Sequence, residues 1–183
     1  RVIRTARQLG YRTVAVYSDA DIDALFVHEA DQAVYIGPSN VAESYLSQEK
    51  IINAAKLTGA QAIHPGYGFL SENASFSEAC AKAGITFIGP DASAIELMGS
   101  KRLSKIAMIE AGVPCIKGYQ GADQSIDVLV EKAKEIGFPL MVKASAGGGG
   151  RGMRLVLKEQ DLIENIKTAK SEAQTAFGSS ELI

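Results

Sequence analysis

The sequence predicts an α/β protein in which a parallel sheet covered by helices is followed by a smaller α+β region built around a glycine-rich loop. Two observations carry this. Helical and strand-like segments alternate through residues 1–90, an order that needs crossover connections and therefore a parallel sheet. Farther on, two strand-like segments, 140–143 and 154–157, flank Gly147-Gly148-Gly149-Gly150, with Gly152 close behind. The expected division is 1–90 for the sheet domain, 91–137 for a helical connector and 138–183 for the glycine-loop region.

The elements follow in order. Val2, Ile3, Ala6 and Leu9 share one helical face, and Gly10 stops the helix. Thr13 to Tyr17 is β-branched and apolar, and an acidic loop with Asp19, Asp21 and Asp23 follows. Ala33 to Ile36 is a second strand ending at Gly37-Pro38. Gln48 to Leu57 carries a helical stripe through Ile51, Ile52 and Ala55, and Ala60 to Ile63 is a short buried strand. A helix from Ala74 to Ala83 ends at Gly84, and Thr86 to Ile88 is a strand before Gly89-Pro90. Asp91 to Met98 and Lys101 to Ala111 read as two helices broken at Gly99, with Ser125 to Ile136 as another. Leu140 to Lys143 and Arg154 to Leu157 are strands, and Glu159 to Phe177 is a long helix with Leu162, Ile163, Ile166 and Ala169 inward. A strand begins again at Glu181-Leu182-Ile183. A doubly wound domain opens with a strand, whereas this chain opens inside a helix, so the domain's first strand is expected to lie outside it.

Composition narrows the function. With 183 residues, 46% of them apolar and 22% charged, the chain can bury a core. Its 19 basic and 21 acidic residues give a net charge of −2, which offers no general field for nucleic acid or anionic membrane. No apolar run approaches a membrane span, and Arg1 to Arg7 reads as helix rather than leader. These features predict a cytoplasmic protein, or a mitochondrial matrix protein in a eukaryote. Cys80 and Cys115 lack metal-type spacing and read as small core residues in a reducing compartment. The sequon Asn73-Ala74-Ser75 has no secretory context.

The strongest chemical signal is the stretch from Lys143 to Met153. Packing alone does not call for such a run, because glycine costs backbone entropy; it fits a loop that must take unusual torsions, approach a ligand closely or move. Gly147, Gly149 and Gly152 fit the G-x-G-x-x-G spacing, but a strand rather than a helix follows, so the dinucleotide fingerprint is excluded. A P-loop is excluded too, for want of Gly-Lys-Ser/Thr. Strand, glycine loop, strand is instead the geometry of a lid over nucleotide phosphates, with Lys143 placed to reach them. A flexible hairpin tip is the alternative. Lys101, at a helix start, reads by itself as a solvated lysine, although a phosphate there would favour it. His64, Tyr67 and Glu72 follow the carboxyl end of a short strand, where ligands bind in open α/β sheets, yet a lone histidine there is more often a structural residue, and the same holds for Tyr67 and Glu72. The acidic loop lacks the glycine and distal glutamate of a calcium loop and reads as solvated.

His64-Pro65-Gly66-Tyr67-Gly68-Phe69-Leu70-Ser71-Glu72-Asn73, Phe87-Ile88-Gly89-Pro90, Met98-Gly99-Ser100-Lys101, Ala111-Gly112-Val113-Pro114 and the Lys143–Met153 stretch occur in the order and spacing of biotin carboxylases. The chain resembles that family over its whole length. The resemblance implies a Rossmann-like, pre-ATP-grasp domain over 1–90, followed by the start of an ATP-grasp domain whose lid subdomain occupies 138–183. It implies a ligase in which ATP, with Mg2+ or Mn2+, phosphorylates bicarbonate, and biotin on a carrier domain captures the carbon dioxide. Lys101, Lys143, Gly147, Gly148, Gly149 and Gly150 are then expected to bind ATP, and Tyr67 and Gly68 to border the biotin pocket. Catalytic residues, metal ligands and the biotinyl lysine are expected outside residues 1–183, so that this chain by itself is expected not to carboxylate biotin. Ala146 stands where many members have another glycine. Gly118 to Ser125 most resembles biotin-bearing subunits of methylcrotonyl-type acyl-CoA carboxylases, with geranyl-CoA, propionyl-CoA and acetyl-CoA carboxylases as neighbours. A carboxyltransferase subunit and an oligomer are implied; nucleic acid and membrane are not. A non-catalytic nucleotide-binding or docking module, or another ATP-grasp ligase such as carbamoyl phosphate synthetase, would share the lid, but the His64–Asn73 motif favours the biotin branch.

Overall fold

The computed structural model describes residues 1–148, 150 and 152–183. The chain forms two compact units, Arg1–Glu96 and Leu97–Ile183, and the division falls within one helix, Ala92–Gly99.

In the first unit, helix α1 (Val2–Gln8) leads to strand β1 (Val14–Ser18), short helix α2 (Leu25–Glu29) and strand β2 (Gln32–Gly37). Helix α3 (Gln48–Thr58), strand β3 (Ala62–Ile63), helix α4 (Ala74–Lys82) and strand β4 (Thr86–Phe87) follow, and α5 is the helix at the division. β1 and β2 pair in parallel, from Val14 opposite Gln32 to Tyr17 opposite Tyr35, with an irregularity before Ser18. β3 and β4 also pair in parallel. The alternation of helix and strand thus gives the expected parallel pairing, but among the described residues the ladder bonds form two separate pairs rather than one sheet. The β3–β4 pair is short because Pro65 and Pro90, just beyond its ends, bring no N–H to extend a ladder.

Capping sets the helix bounds. The Ser47 hydroxyl accepts from the Lys50 N–H at 3.4 Å to open α3, which closes on Gly59 at φ +67°. Asn73 Oδ1 accepts from the Phe76 N–H at 2.8 Å to open α4. The core of this unit gathers Leu70, Phe76 and Cys80, with Ile51, Ile52, Ile63 and Phe87 packed against them. Phe76 meets Phe87 edge-on with ring centroids 5.9 Å apart. Burying a side chain such as Phe76 contributes about 1.5–3 kcal/mol. α1, despite its apolar stripe, buries no residue fully.

In the second unit, α6 (Lys101–Glu110) and α7 (Ile126–Ile136) precede β5 (Leu140–Lys143), β6 (Met153–Val156) and α8 (Leu162–Phe177). β5 and β6 are antiparallel, Leu140 opposite Val156 and Lys143 opposite Met153. The last residues run along the other side of β5. Ala144 bridges Leu182, and Lys143 and Ile183 exchange backbone hydrogen bonds of 2.9 and 2.8 Å. Leu129, Ala133, Val142, Val156, Leu162, Ile166, Ala169 and Leu182 form the core, so α7 packs with the glycine-loop strands.

Two sequence expectations are corrected. Ile163 is exposed, because the buried stripe of α8 runs Leu162, Ile166, Ala169, Ala173 and leaves residue 163 a step off that face. Cys115 is exposed, unlike the fully buried Cys80, because it lies in the loop after α6, where residues 111–117 are all exposed. Among the described residues no helix is long and apolar enough to cross a membrane.

Candidate functional site

The second unit builds a cradle where the start of α6 meets the root of the glycine loop. Ser145, 1% exposed, is the joint. Its carbonyl accepts the Lys101 N–H at 3.0 Å, its N–H donates to the Glu181 carbonyl at 2.9 Å, and its hydroxyl accepts the Arg102 N–H at 3.3 Å. The Ser100 hydroxyl caps α6 through the Leu103 N–H at 3.2 Å and lies 3.3 Å from the Ser145 hydroxyl. Arg102 Nε donates to Glu181 Oε1 at 2.7 Å, tying the helix to the last strand-like segment.

From this anchored helix start, the Lys101 ammonium donates to the Gly147 carbonyl and lies 3.5 Å from the Ser145 carbonyl. A cation at a helix N-terminus is disfavoured by the macrodipole, and the two carbonyl oxygens offset that. Lys143 ends β5, half-buried, and its ammonium has no hydrogen-bond partner among the described residues. Lys101 and the loop root are therefore brought together. Gly149, and Arg151 beside it, lie outside the described residues.

Gly147, Gly150 and Gly152 take positive φ, the unusual torsions expected of the run, and packing, which the sequence reading set aside, adds to this at two of them. A Cβ on Gly147 would stand 2.1 Å from the Phe177 ring, and one on Gly152 would stand 2.9 Å from the Ala144 Cβ. Gly148 and Gly150 would meet nothing within 4 Å, and both are exposed. The loop is thus wedged at Gly147 and Gly152, and has open space at Gly148 and Gly150. Main-chain amides without side chains beside two lysines are the donor set that polyphosphate takes. Among the described residues no group of three or more His, Cys, Asp or Glu side chains converges on one point.

In the first unit, the loop after β3 holds the other predicted residues. His64 Nδ1 accepts the Gly66 N–H at 3.0 Å, and the Ser71 N–H returns to the Gly68 carbonyl at 2.9 Å. Gly66 and Gly68 take positive φ, and so does Phe69, at +46°, which is unusual for a non-glycine residue. Tyr67, 99% exposed, projects from the loop, while Leu70 is buried in the core. Phe69 stacks on Tyr45 with centroids 5.3 Å apart and planes 23° apart. The Tyr45 hydroxyl donates to Asp21 at 2.5 Å and accepts the Ser18 N–H at 3.1 Å. Burial first, and then the Asp21 carboxylate, pushes the Tyr45 phenol above its usual range, so it stays a donor. The acidic loop thus supplies an internal acceptor. Sequence reasoning did not single out Ser145, Phe177, Tyr45 or Phe69; Ser145 and Phe69 lay inside quoted motifs, while the partners of Tyr45 and Phe177 are distant in sequence.

Parallel strand pairs followed by an antiparallel pair around a lysine-flanked glycine loop define an α/β protein with the start of an ATP-grasp domain. Residues 1–95 match the family described as biotin carboxylase, N-terminal domain, and residues 100–183 match carbamoyl-phosphate synthase L chain, ATP binding domain. The chain belongs to the biotin carboxylase family. It is 54% identical over 183 residues to the mitochondrial methylcrotonoyl-CoA carboxylase subunit alpha of Dictyostelium discoideum, covering 100% of this chain and 26% of that subunit. Among solved structures it resembles a biotin carboxylase–beta-gamma-ATP complex from Campylobacter jejuni, with a TM-score of 0.94, 49% identity, and coverage of 98% of this chain and 40% of that one. It also resembles the biotin carboxylase domain dimer of Hydrogenobacter thermophilus 2-oxoglutarate carboxylase in complex with MgADP, ADP and bicarbonate, with a TM-score of 0.93, 47% identity, and coverage of 100% and 40%. The chain thus spans about a quarter of the Dictyostelium subunit's length.

Proposed function

We propose that this chain supplies part of the nucleotide site, and one edge of the biotin pocket, in a subunit that uses MgATP and bicarbonate to carboxylate biotin on a carrier domain. The observation that carries this reading is the meeting of the Lys101 ammonium with the glycine-loop root at Gly147. Lys101 and Lys143 would neutralise phosphate charge, and the backbone of Gly147, Gly148, Gly149 and Gly150 would cover the phosphates. Tyr67 and Gly68 would border biotin. The two solved relatives, one a complex with beta-gamma-ATP and the other with MgADP and bicarbonate, support this substrate set.

The downstream acceptor is methylcrotonoyl-CoA, carboxylated by a partner carboxyltransferase subunit. Support comes from the Dictyostelium subunit, 54% identical over this whole chain. The subunit would be an oligomer, as the Hydrogenobacter domain is a dimer. It would work in the cytoplasm, or in the mitochondrial matrix of a eukaryote; the Dictyostelium relative is mitochondrial.

The test is MgATP binding by calorimetry to the complete subunit carrying this chain, compared with Lys101→Ala and Lys143→Ala. Each loss of an ammonium should weaken binding roughly 10- to 100-fold, about 1.4–2.7 kcal/mol. Binding indifferent to both substitutions overturns the site assignment.

A further inference from the structure

Phe69 is an exposed aromatic in a backbone conformation that ordinary side chains avoid, and it is not part of the hydrophobic core of its unit. Such strained positions persist only where surrounding structure over-determines them, and they cluster at ligand sites. Two features over-determine this one. On its C-terminal side Leu70 is 5% exposed in the core, which fixes where the chain must go next. On its side-chain side the ring lies against Tyr45, which cannot slide because its hydroxyl both donates to Asp21 and accepts from the Ser18 N–H. Ser18 is the last residue of β1 and is 1% exposed, so the chain of contacts is rooted in the parallel sheet.

The segment that this arrangement leaves projecting is Tyr67-Gly68. A fully exposed tyrosine between two glycines of positive φ would otherwise sample many directions. We propose that Asp21, Tyr45 and Phe69 form a strut that positions Tyr67 and Gly68 for the ligand, with Phe69 and Tyr45 as positioning residues that do not touch it. The proposal rests on the reading above that Tyr67 and Gly68 border biotin. The strut converts a strained residue into an aiming device: the stacked ring sets the direction of the preceding peptide, and the sheet sets the ring.

The experiment uses the complete subunit carrying this chain, with Phe69→Leu, which loses the stack, Tyr45→Phe, which loses the hydroxyl but keeps the ring, and Phe69→Tyr, which keeps the stack. Tyr67→Ala probes the ligand edge itself. Amide hydrogen exchange over residues 64–70 and steady-state kinetics with free biotin are both read. Phe69→Leu and Tyr45→Phe are expected to speed exchange and to raise the biotin KM roughly tenfold, with the MgATP KM and kcat unchanged, while Phe69→Tyr stays near wild type. Unchanged exchange overturns the strut. Faster exchange with an unchanged biotin KM, where Tyr67→Ala does raise it, overturns the positioning role and leaves the biotin reading standing. If Tyr67→Ala also leaves the biotin KM unmoved, the biotin reading has failed and the positioning claim with it. A rise in the MgATP KM equal to that for biotin marks a general folding defect and likewise overturns the proposal.

Discussion

The ring of Phe177, the last residue of α8, occupies the space a side chain at Gly147 would need. A Cβ built there would come 2.1 Å from the ring, and Gly147 takes φ +73° besides. Gly147→Ala therefore meets both a collision and a torsional penalty and is expected to destabilise the second unit by about 2 kcal/mol or more. Gly148→Ala, with open space around it, is expected to stay within about 0.5 kcal/mol of wild type. Urea unfolding of the two variants separates the cases. Adding Phe177→Leu should recover part of the Gly147→Ala loss, since it relieves the collision but not the torsion.

Arg102 and Glu181 join the start of α6 to the segment alongside β5, and their side chains are only 20% and 27% exposed. A double-mutant cycle with Arg102→Met and Glu181→Gln is expected to show a coupling of about 1 kcal/mol, at the upper end for partly exposed pairs. Coupling within error of zero would mean that this pair does not help to hold the loop root.

Much of the fold was legible because glycines punctuate it. Gly10 and Gly84, read as helix stops, take positive φ just past the ends of α1 and α4. α2 escaped notice because five residues without a buried side chain carry no readable period. The place of Lys143 at the end of a strand before the glycine run was legible, since strand ends and glycine runs are local signals. The contact of Lys101 with Gly147 and the stack of Phe69 on Tyr45 were not, since each joins residues far apart along the chain whose pairing no local pattern encodes. The same distance hid the role of Phe177, so the packing share of the glycine run went unread.

Asp31 accepts from the Thr13 N–H at 2.7 Å and from its hydroxyl at 2.8 Å. The backbone bond first, and then the hydroxyl, holds its carboxyl below the usual aspartate range. A depressed folded-state pKa contributes stability that is fully present above the unfolded value and is lost as pH falls through the folded one. Asp31→Asn should therefore lower the melting temperature near neutral pH, and the gap from wild type should close on acidification below the usual carboxylate range. A gap constant with pH would show that the charge on Asp31 contributes nothing.

The two thiols should differ sharply in reactivity. Cys80 is fully buried and burial pushes its thiol up, whereas Cys115 is exposed in the loop after α6. A disulfide reagent added to the native chain is expected to label one thiol quickly, abolished by Cys115→Ser, and to reach Cys80 only in denaturant. Rapid labelling of Cys80 would contradict the packing of α4 against β4.

β5 carries Lys143 at its end and is flanked on one side by β6 and on the other by Glu181 to Ile183. The second neighbour arrives about forty residues later in the chain, after the whole of α8, and such a closure must be made before its hydrogen bonds can repay it. During synthesis from the N-terminus, the lysine strand is therefore among the last parts of its unit to become rigid. Lys143 thus ends a strand whose second edge is completed only when Glu181 to Ile183 have been made.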